Sequence, residues 1–362
     1  MYDKIPPMKN NVGKILRLDK NENFFPHHVS INKIIKQGVD RLVNFYPPQN
    51  SLNLYHKLAG FHELDKDNLF IGPGLESVIV RVFMAARSSL NIKKIILPDF
   101  SWQHYEVMAK SSFIDKTVYF PVKDDISYFS IDIDLLIECV KDNPESLVVL
   151  PNPNNPTGKG LDTEEIFGLI STFPTNIFFI DEAYAGFGKQ AYNSNEQLKE
   201  FVKRDNVIIG RSFSKFFAVP GARLGYAIMS KDLRSRLRLI PLYLGLSNFT
   251  EKLSMLLMDH YDFYEKRAQK VKEVRDLFTK RSASLPVKMY SSEASFVFGK
   301  FLTPVNTKKL VEYLRKGGFY IKLFDYGKPL VFFRITVGSK ASMLEILRVL
   351  EGFFISRRRS PN

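Results

Sequence analysis

The chain has 362 residues, 52 Lys and Arg against 38 Asp and Glu, a formal charge of +14, and 45% apolar residues. That length supports a well-buried core and two packed lobes; a 25% charged fraction excludes a disordered chain, and 20 Gly with 19 Pro exclude a fibrous one. The single Cys139 can form neither an internal disulfide nor a Cys-based zinc site, which fits a reducing, cytoplasmic compartment.

In chain order, Leu75–Arg87 reads as a helix and Lys94–Leu97 (KIIL) as a buried strand. A helix over Trp102–Lys110 follows, then a strand at Leu147–Leu150 (LVVL). Asp162 is a candidate N-cap for a helix over Thr163–Thr172, with Glu165 completing a capping box. Ile177–Ile180 (IFFI) and Val207–Ile209 (VII) are the next strands. Each strand is short, β-branched or aromatic, and bounded by polar residues, Pro or Gly. Strands alternating with helices predict a mostly parallel α/β sheet covered on both faces. From about Glu251 the pattern changes to one long charged amphipathic helix, Glu251–Arg281. Strand-like segments at Ser295–Phe298 and Leu330–Ile335 and a helix at Ala341–Phe354 complete a smaller α+β lobe. The expected division is residues 40–250 for the large domain, and 1–39 with 251–362 for the small one.

No run approaches the roughly 18 apolar residues of a membrane span, and the opening MYDKIPPMKNNVGK lacks the apolar stretch of a secretory signal. The basic residues are scattered, apart from Arg357, Arg358 and Arg359. No zinc-finger spacing or aromatic-basic RNA motif accompanies them, so neither nucleic acid nor membrane is an expected partner.

Ligands of such sheets bind outside the C-terminal ends of the strands. After Leu147–Leu150 comes Pro151-Asn152-Pro153-Asn154-Asn155-Pro156-Thr157-Gly158, whose prolines stiffen the loop that carries an Asn. Read alone, it is a rigid turn. After Ile177–Ile180 comes Asp181-Glu182-Ala183-Tyr184, and an Asp ending a buried strand needs a donor or a cation. After Val207–Ile209 come Arg211-Ser212-Phe213-Ser214-Lys215 and then Arg223-Leu224-Gly225. Hydroxyls with a Lys and an Arg suit a phosphate, or an ordinary solvated loop. Taken together, these loops bring to one sheet edge a lysine able to bond an aldehyde cofactor and a carboxylate able to partner a pyridinium nitrogen.

The ordered set NPNNPTG, DEAY, SxSK and RxG resembles the fold-type-I pyridoxal-phosphate enzymes, class I and II aminotransferases in particular. The resemblance extends from LDKNEN (Leu18–Asn23) to FRITVG (Phe333–Gly338), two segments similar to the histidinol-phosphate aminotransferase subgroup. SKFFAVPGARLGY (Ser214–Tyr226) is also similar to threonine-phosphate decarboxylases. The resemblance implies a large domain with a mostly parallel, seven-stranded-type sheet between helices, and a smaller α+β domain. It also implies pyridoxal 5'-phosphate as cofactor and no metal. By it, Lys215 is the Schiff-base lysine and Asp181 pairs with the pyridine nitrogen. Asn155 and Tyr184 hydrogen-bond the ring's phenolic oxygen, and Ser212, Arg223 and the backbone of Gly74, Leu75 and Glu76 hold the phosphate. Phe100 is the aromatic that stacks on the ring. Phe45-Tyr46-Pro47 corresponds to the family's Arg-Tyr-Pro, whose Tyr reaches the neighbouring subunit's cofactor, which implies a homodimer with shared sites. Arg334 grips a substrate α-carboxylate by two parallel bonds, with Asn23 and Lys322 as further substrate contacts.

Two departures bear on the substrate. Asn21-Glu22-Asn23 is followed by Phe24-Phe25-Pro26-His27, where the subgroup has Pro-Tyr-Gly-Pro, so the Tyr hydroxyl that touches substrate phosphate is missing. Lys322 stands where a second phosphate-binding Arg is usual. The expectation is an aminotransferase for a small phosphorylated amino acid or amine other than histidinol phosphate. The alternative is a decarboxylase of a phosphorylated amino acid such as serine or threonine phosphate.

Overall fold

The computed structural model describes residues 15–36, 40–47, 49–125, 129–189, 191–325 and 331–359. Seven strands form one sheet in the order Leu69–Gly72, Gly225–Met229, Val207–Ser212, Ile177–Asp181, Leu147–Pro151, Lys94–Pro98 and Lys116–Phe120. Gly225–Met229 runs antiparallel to both of its neighbours, and the other strands share one direction. The apolar runs are continuous because the sheet is covered on both faces: Val148, Leu150, Phe178 and Ile180 enter one core, while Leu147, Val149, Ile177 and Phe179 enter another.

Thr163–Thr172 is helical as its capping signal predicts, with the Glu165 carboxylate accepting from the Asp162 backbone N–H at 2.7 Å. The helix predicted from Trp102 begins instead at His104 and ends at Ser111. Strands Leu69–Gly72, Lys116–Phe120 and Gly225–Met229 were not separable by pattern, being short or flanked by helix-compatible residues.

A second, four-stranded antiparallel sheet has the order Val287–Tyr290, Phe296–Phe301, Phe332–Thr336 and Lys322–Phe324. Helices Thr307–Lys316 and Lys340–Arg359 belong to the same C-terminal part. Leu16–Arg17 pairs in parallel with Phe319–Tyr320, which ties the N-terminal segment to it. The single helix expected over Glu251–Arg281 is two, Asn248–Asp259 and Tyr261–Arg281. They are separated at His260, whose φ of −113° and ψ of 30° are not helical. Its N–H bonds the Leu257 carbonyl three residues back, and its ring stacks on His28 at 3.9 Å, a tertiary contact that no local periodicity encodes. The predicted strand residue Leu330 lies outside the described residues, and the strand itself spans Phe332–Thr336. Among the described residues, no helix is long and apolar enough to cross a membrane.

Candidate active site

The parallel strands deliver their C-terminal ends to one edge of the large sheet. Asp181 ends its strand in register with Pro151 on one side and Gly210 on the other. Ser212 lies opposite Gly225, which in turn lies opposite Gly72. The loops carrying Asn155, Tyr184, Lys215, Arg223 and Gly74 therefore start from adjacent strands.

At the end near Gly72, the helix Leu75–Ser89 begins after Gly74, whose φ of +86° favours glycine. A Cβ at Gly74 would come within 2.5 Å of an Arg223 Nη, and one at Gly225 within 2.1 Å of the Leu75 nitrogen. Both glycines thus keep open the space where Arg223 and the helix N-terminus converge. The first N–H groups of a helix have no partner within it, and those of Leu75 and Glu76 lie here. Arg223 itself is exposed, in the left-handed region at φ 53°, with one Nη donating to the Pro220 carbonyl at 3.3 Å. Ser212 is buried, its Oγ accepting from the Ser214 N–H at 3.0 Å. Backbone donors, a hydroxyl and a guanidinium around a Cβ-free cradle fit a phosphate.

Lys215 lies beside this cradle. Its Nζ donates to the backbone carbonyls of Asn21 at 2.9 Å and Lys20 at 3.3 Å, and stands 5.9 Å from the centre of the Tyr184 ring. Burial pushes the amine down to about 8, and the Arg334 and Arg223 charges push the same way against Glu22. A lysine so tuned is neutral often enough to bond an aldehyde.

Asp181 is 5% exposed, and its two oxygens accept from the Tyr105 hydroxyl at 2.6 Å and the Ala183 N–H at 2.9 Å. Burial raises its pKa, and those two hydrogen bonds work against the rise. Tyr184 accepts at its hydroxyl from Asn21 Nδ2 at 2.8 Å, and its ring meets Phe296 edge-on at 5.2 Å. Burial raises this phenol as well, while Arg334 and Asn21 lower it.

Arg334 is buried beside them. One Nη donates to the Asn155 side-chain oxygen and the other to the Asp19 carbonyl at 2.5 Å. Its Nε is buried with no hydrogen-bond partner among the described residues. Asn154 organises the Asn155 loop, accepting from Ser101 Oγ at 2.7 Å and donating to the Phe100 carbonyl at 3.0 Å. Lys322 pairs directly opposite Arg334 in the antiparallel small sheet, so the two project from one face. Its side chain is exposed, with the ammonium 5.7 Å from the Phe324 ring. Asn23 donates to the Lys215 carbonyl at 3.5 Å and accepts from the Phe25 N–H at 3.1 Å, so its visible part is to brace the lysine turn.

The Phe100 ring lies among Phe129, Phe298, Phe324 and Phe332, with centroids 5.3 to 6.0 Å away. Tyr46 is 83% exposed.

Sequence reasoning assigned no role to Asn21, Tyr105, Glu182 or Arg211. Arg211 is fully buried and donates through Nε to a Glu182 oxygen at 2.7 Å, through Nη2 to Ser194 Oγ at 3.1 Å and through Nη1 to the Tyr192 carbonyl, with Nη2 also in ion-pair contact with the same Glu182 oxygen at 2.6 Å. A charge inside the otherwise apolar run VIIGRS was the available signal. Tyr105 left none, since a Tyr on the apolar face of a helix reads as core.

The family model for aminotransferases of class I and II matches residues 13–350. A histidinol-phosphate aminotransferase from Clostridium beijerinckii is 27% identical over 344 residues, covering 94% of this chain and 91% of that one. The crystal structure of the histidinol-phosphate aminotransferase from Clostridium acetobutylicum superposes with a TM-score of 0.81 at 23% identity, over 93% of this chain and 98% of that one. That of L-threonine-O-3-phosphate decarboxylase from Porphyromonas gingivalis gives 0.77 at 18% identity, over 93% and 99%. The last two likenesses show the fold. With the family model covering nearly the whole chain, the chain belongs to the aminotransferase class I and II family, and is by that membership a pyridoxal-phosphate-dependent aminotransferase.

Proposed function

We propose that this aminotransferase moves the amino group of a small phosphorylated amino acid or amine, in the cytoplasm, as a homodimer with shared active sites. The lobes are residues 40–250, and 1–39 with 251–362. The observation that carries the reading is the Arg334 guanidinium, buried, with an Nε that has no hydrogen-bond partner among the described residues, and Lys322 opposite it in the same sheet. Two cations on one face suit a substrate with two anionic groups, a carboxylate or its equivalent and a phosphate. Support for the dimer comes from Val43, Phe45, Tyr46, Ile240 and Tyr243, which are 66 to 83% exposed. Phe45 and Tyr46 are joined to the second segment through Asn248 Nδ2, which donates to the Phe45 carbonyl at 2.9 Å. An apolar patch of this kind calls for a partner, and a second copy would bring its Tyr46 to the phosphate cradle.

Each residue then has a definite task. Ser212, Arg223 and the backbone at Gly74, Leu75 and Glu76 hold the cofactor phosphate. Asp181 would hold a proton at the ring nitrogen, and Asn155 and Tyr184 would hydrogen-bond the phenolic oxygen. When bound, pyridoxal phosphate supplies the electron sink for the pair left at the substrate Cα. Arg334 would orient the substrate so that its Cα–H bond meets Lys215, and the Lys215 amine would take up that proton. The side chain near this centre that can stack on a ring is Trp102, edge-on to Tyr105 at 5.2 Å, in addition to Phe100.

The test is to incubate the holoenzyme with phosphoserine, phosphothreonine or histidinol phosphate, with and without a 2-keto acid. Amino transfer that depends on the keto acid is expected. Release of CO2 without a keto acid would replace this reading with the decarboxylase.

A further inference from the structure

Asp181 is nearly inaccessible to water, and among the described residues the groups that hydrogen-bond its carboxylate are neutral: the Tyr105 hydroxyl at 2.6 Å and the Ala183 N–H at 2.9 Å. A carboxylate has about four lone-pair sites, so two remain for another donor. The titratable neighbours are otherwise unhelpful to a negative charge. Glu182 adds like charge from the same strand end, although Arg211 engages it, and the Tyr184 phenol is itself buried. Burial alone would drive this acid toward its neutral form. A neutral Asp181 would no longer hold a proton on a pyridine nitrogen.

We propose that Tyr105 is a positioning residue that keeps Asp181 ionised and oriented toward the cofactor's ring nitrogen; this rests on the pyridoxal-phosphate reading above. Three features suit Tyr105 to this task. Its side chain is 3% exposed on the helix His104–Ser111, so water does not compete for the bond. Burial raises the phenol well above its ordinary value, which leaves the proton on Tyr105 and Asp181 as the acceptor throughout the working range. The Trp102 ring meets Tyr105 edge-on at 5.2 Å and limits its motion. With Ala183 binding the other oxygen, the carboxylate plane is fixed from both sides.

The test compares wild type, Tyr105→Phe, Asp181→Asn and the double variant, using the equilibrium dissociation of pyridoxal 5'-phosphate from each across a range of pH. Phe is close to isosteric, and melting of the cofactor-free chains checks that each is folded. Tyr105→Phe is expected to weaken cofactor binding about tenfold at neutral pH. It should also move the acid-side loss of affinity upward by about one pH unit, because the carboxylate then protonates earlier. In the Asp181→Asn background the same change should have no further effect. An equal loss in both backgrounds, or an unmoved pH profile, would show that Tyr105 acts only through packing and would overturn the proposal. A wild-type chain that takes up no pyridoxal phosphate would overturn the cofactor reading and the proposal with it.

Discussion

The backbone carbonyl of Asn21 accepts from Lys215 Nζ at 2.9 Å, while the Asn21 side chain donates to the Tyr184 hydroxyl at 2.8 Å. One residue of the N-terminal segment thus holds both the lysine and the phenol, 194 and 163 positions away. Asn21 sits in the left-handed region at φ 52°, and its N–H is fixed by Thr336 Oγ1 at 2.9 Å.

Because glycine accepts that backbone conformation, Asn21→Gly removes the amide while leaving the carbonyl in place. The variant should fold with a loss of about 1 kcal/mol in chemical denaturation. Its turnover should fall about tenfold, as the Tyr184 phenol loses its donor. Unchanged turnover would separate Asn21 from the chemistry.

Lys215 should capture the cofactor only as the free amine. The rate at which the cofactor-free chain gains its visible absorbance band is expected to rise with pH through a midpoint at about 8. Removing the Arg334 charge in Arg334→Gln takes away a cation that disfavours protonated Lys215, so the midpoint should move to higher pH. Lys215→Ala should never develop the band.

Arg334 and Lys322 should separate kinetically. Arg334→Ala is expected to lower kcat/KM by about 100-fold or more for every substrate, since it removes a buried, charge-assisted contact. Lys322→Ala, at an exposed position, should raise KM for phosphorylated substrates alone. Equal effects on phosphorylated and unphosphorylated substrates would remove Lys322 from the substrate site.

Glu182 and Arg211 form an ion pair at 2.6 Å with almost no solvent contact. Glu182→Ala leaves a buried guanidinium uncompensated and should destabilise the fold by about 3–5 kcal/mol. Replacing both residues by apolar ones of similar volume, Glu182→Leu with Arg211→Met, should recover most of that loss in a melting experiment.

If two copies meet through the exposed patch, Tyr243→Asp should shift the protein from dimer to monomer in sedimentation. Tyr243 bonds Gln49 through its hydroxyl at 2.9 Å and is 68% exposed. Cofactor affinity should fall with it, because Tyr46 would lose access to the neighbouring phosphate. A monomeric wild type with full cofactor affinity would remove the dimer from the reading.

The sequence by itself determined the alternating strands and helices, and the loops after them. Short runs such as LVVL and IFFI can be satisfied only in a sheet buried on both faces, and their polar sequels must then emerge at one edge. Lys215, Asp181, Tyr184, Asn155 and Arg223 were legible for that reason, each lying directly after a strand or in a loop with unusual chemistry. The tertiary structure decided what lay at long sequence separation. The break at His260 depends on His28 stacking there, and the clamp of Asn21 on Lys215 depends on the N-terminal segment crossing the site. Tyr105 became visible only when its helix was packed against the end of the Asp181 strand. Hydrogen bonds and ring contacts of this kind follow from distance in space, and a one-dimensional pattern records only distance along the chain.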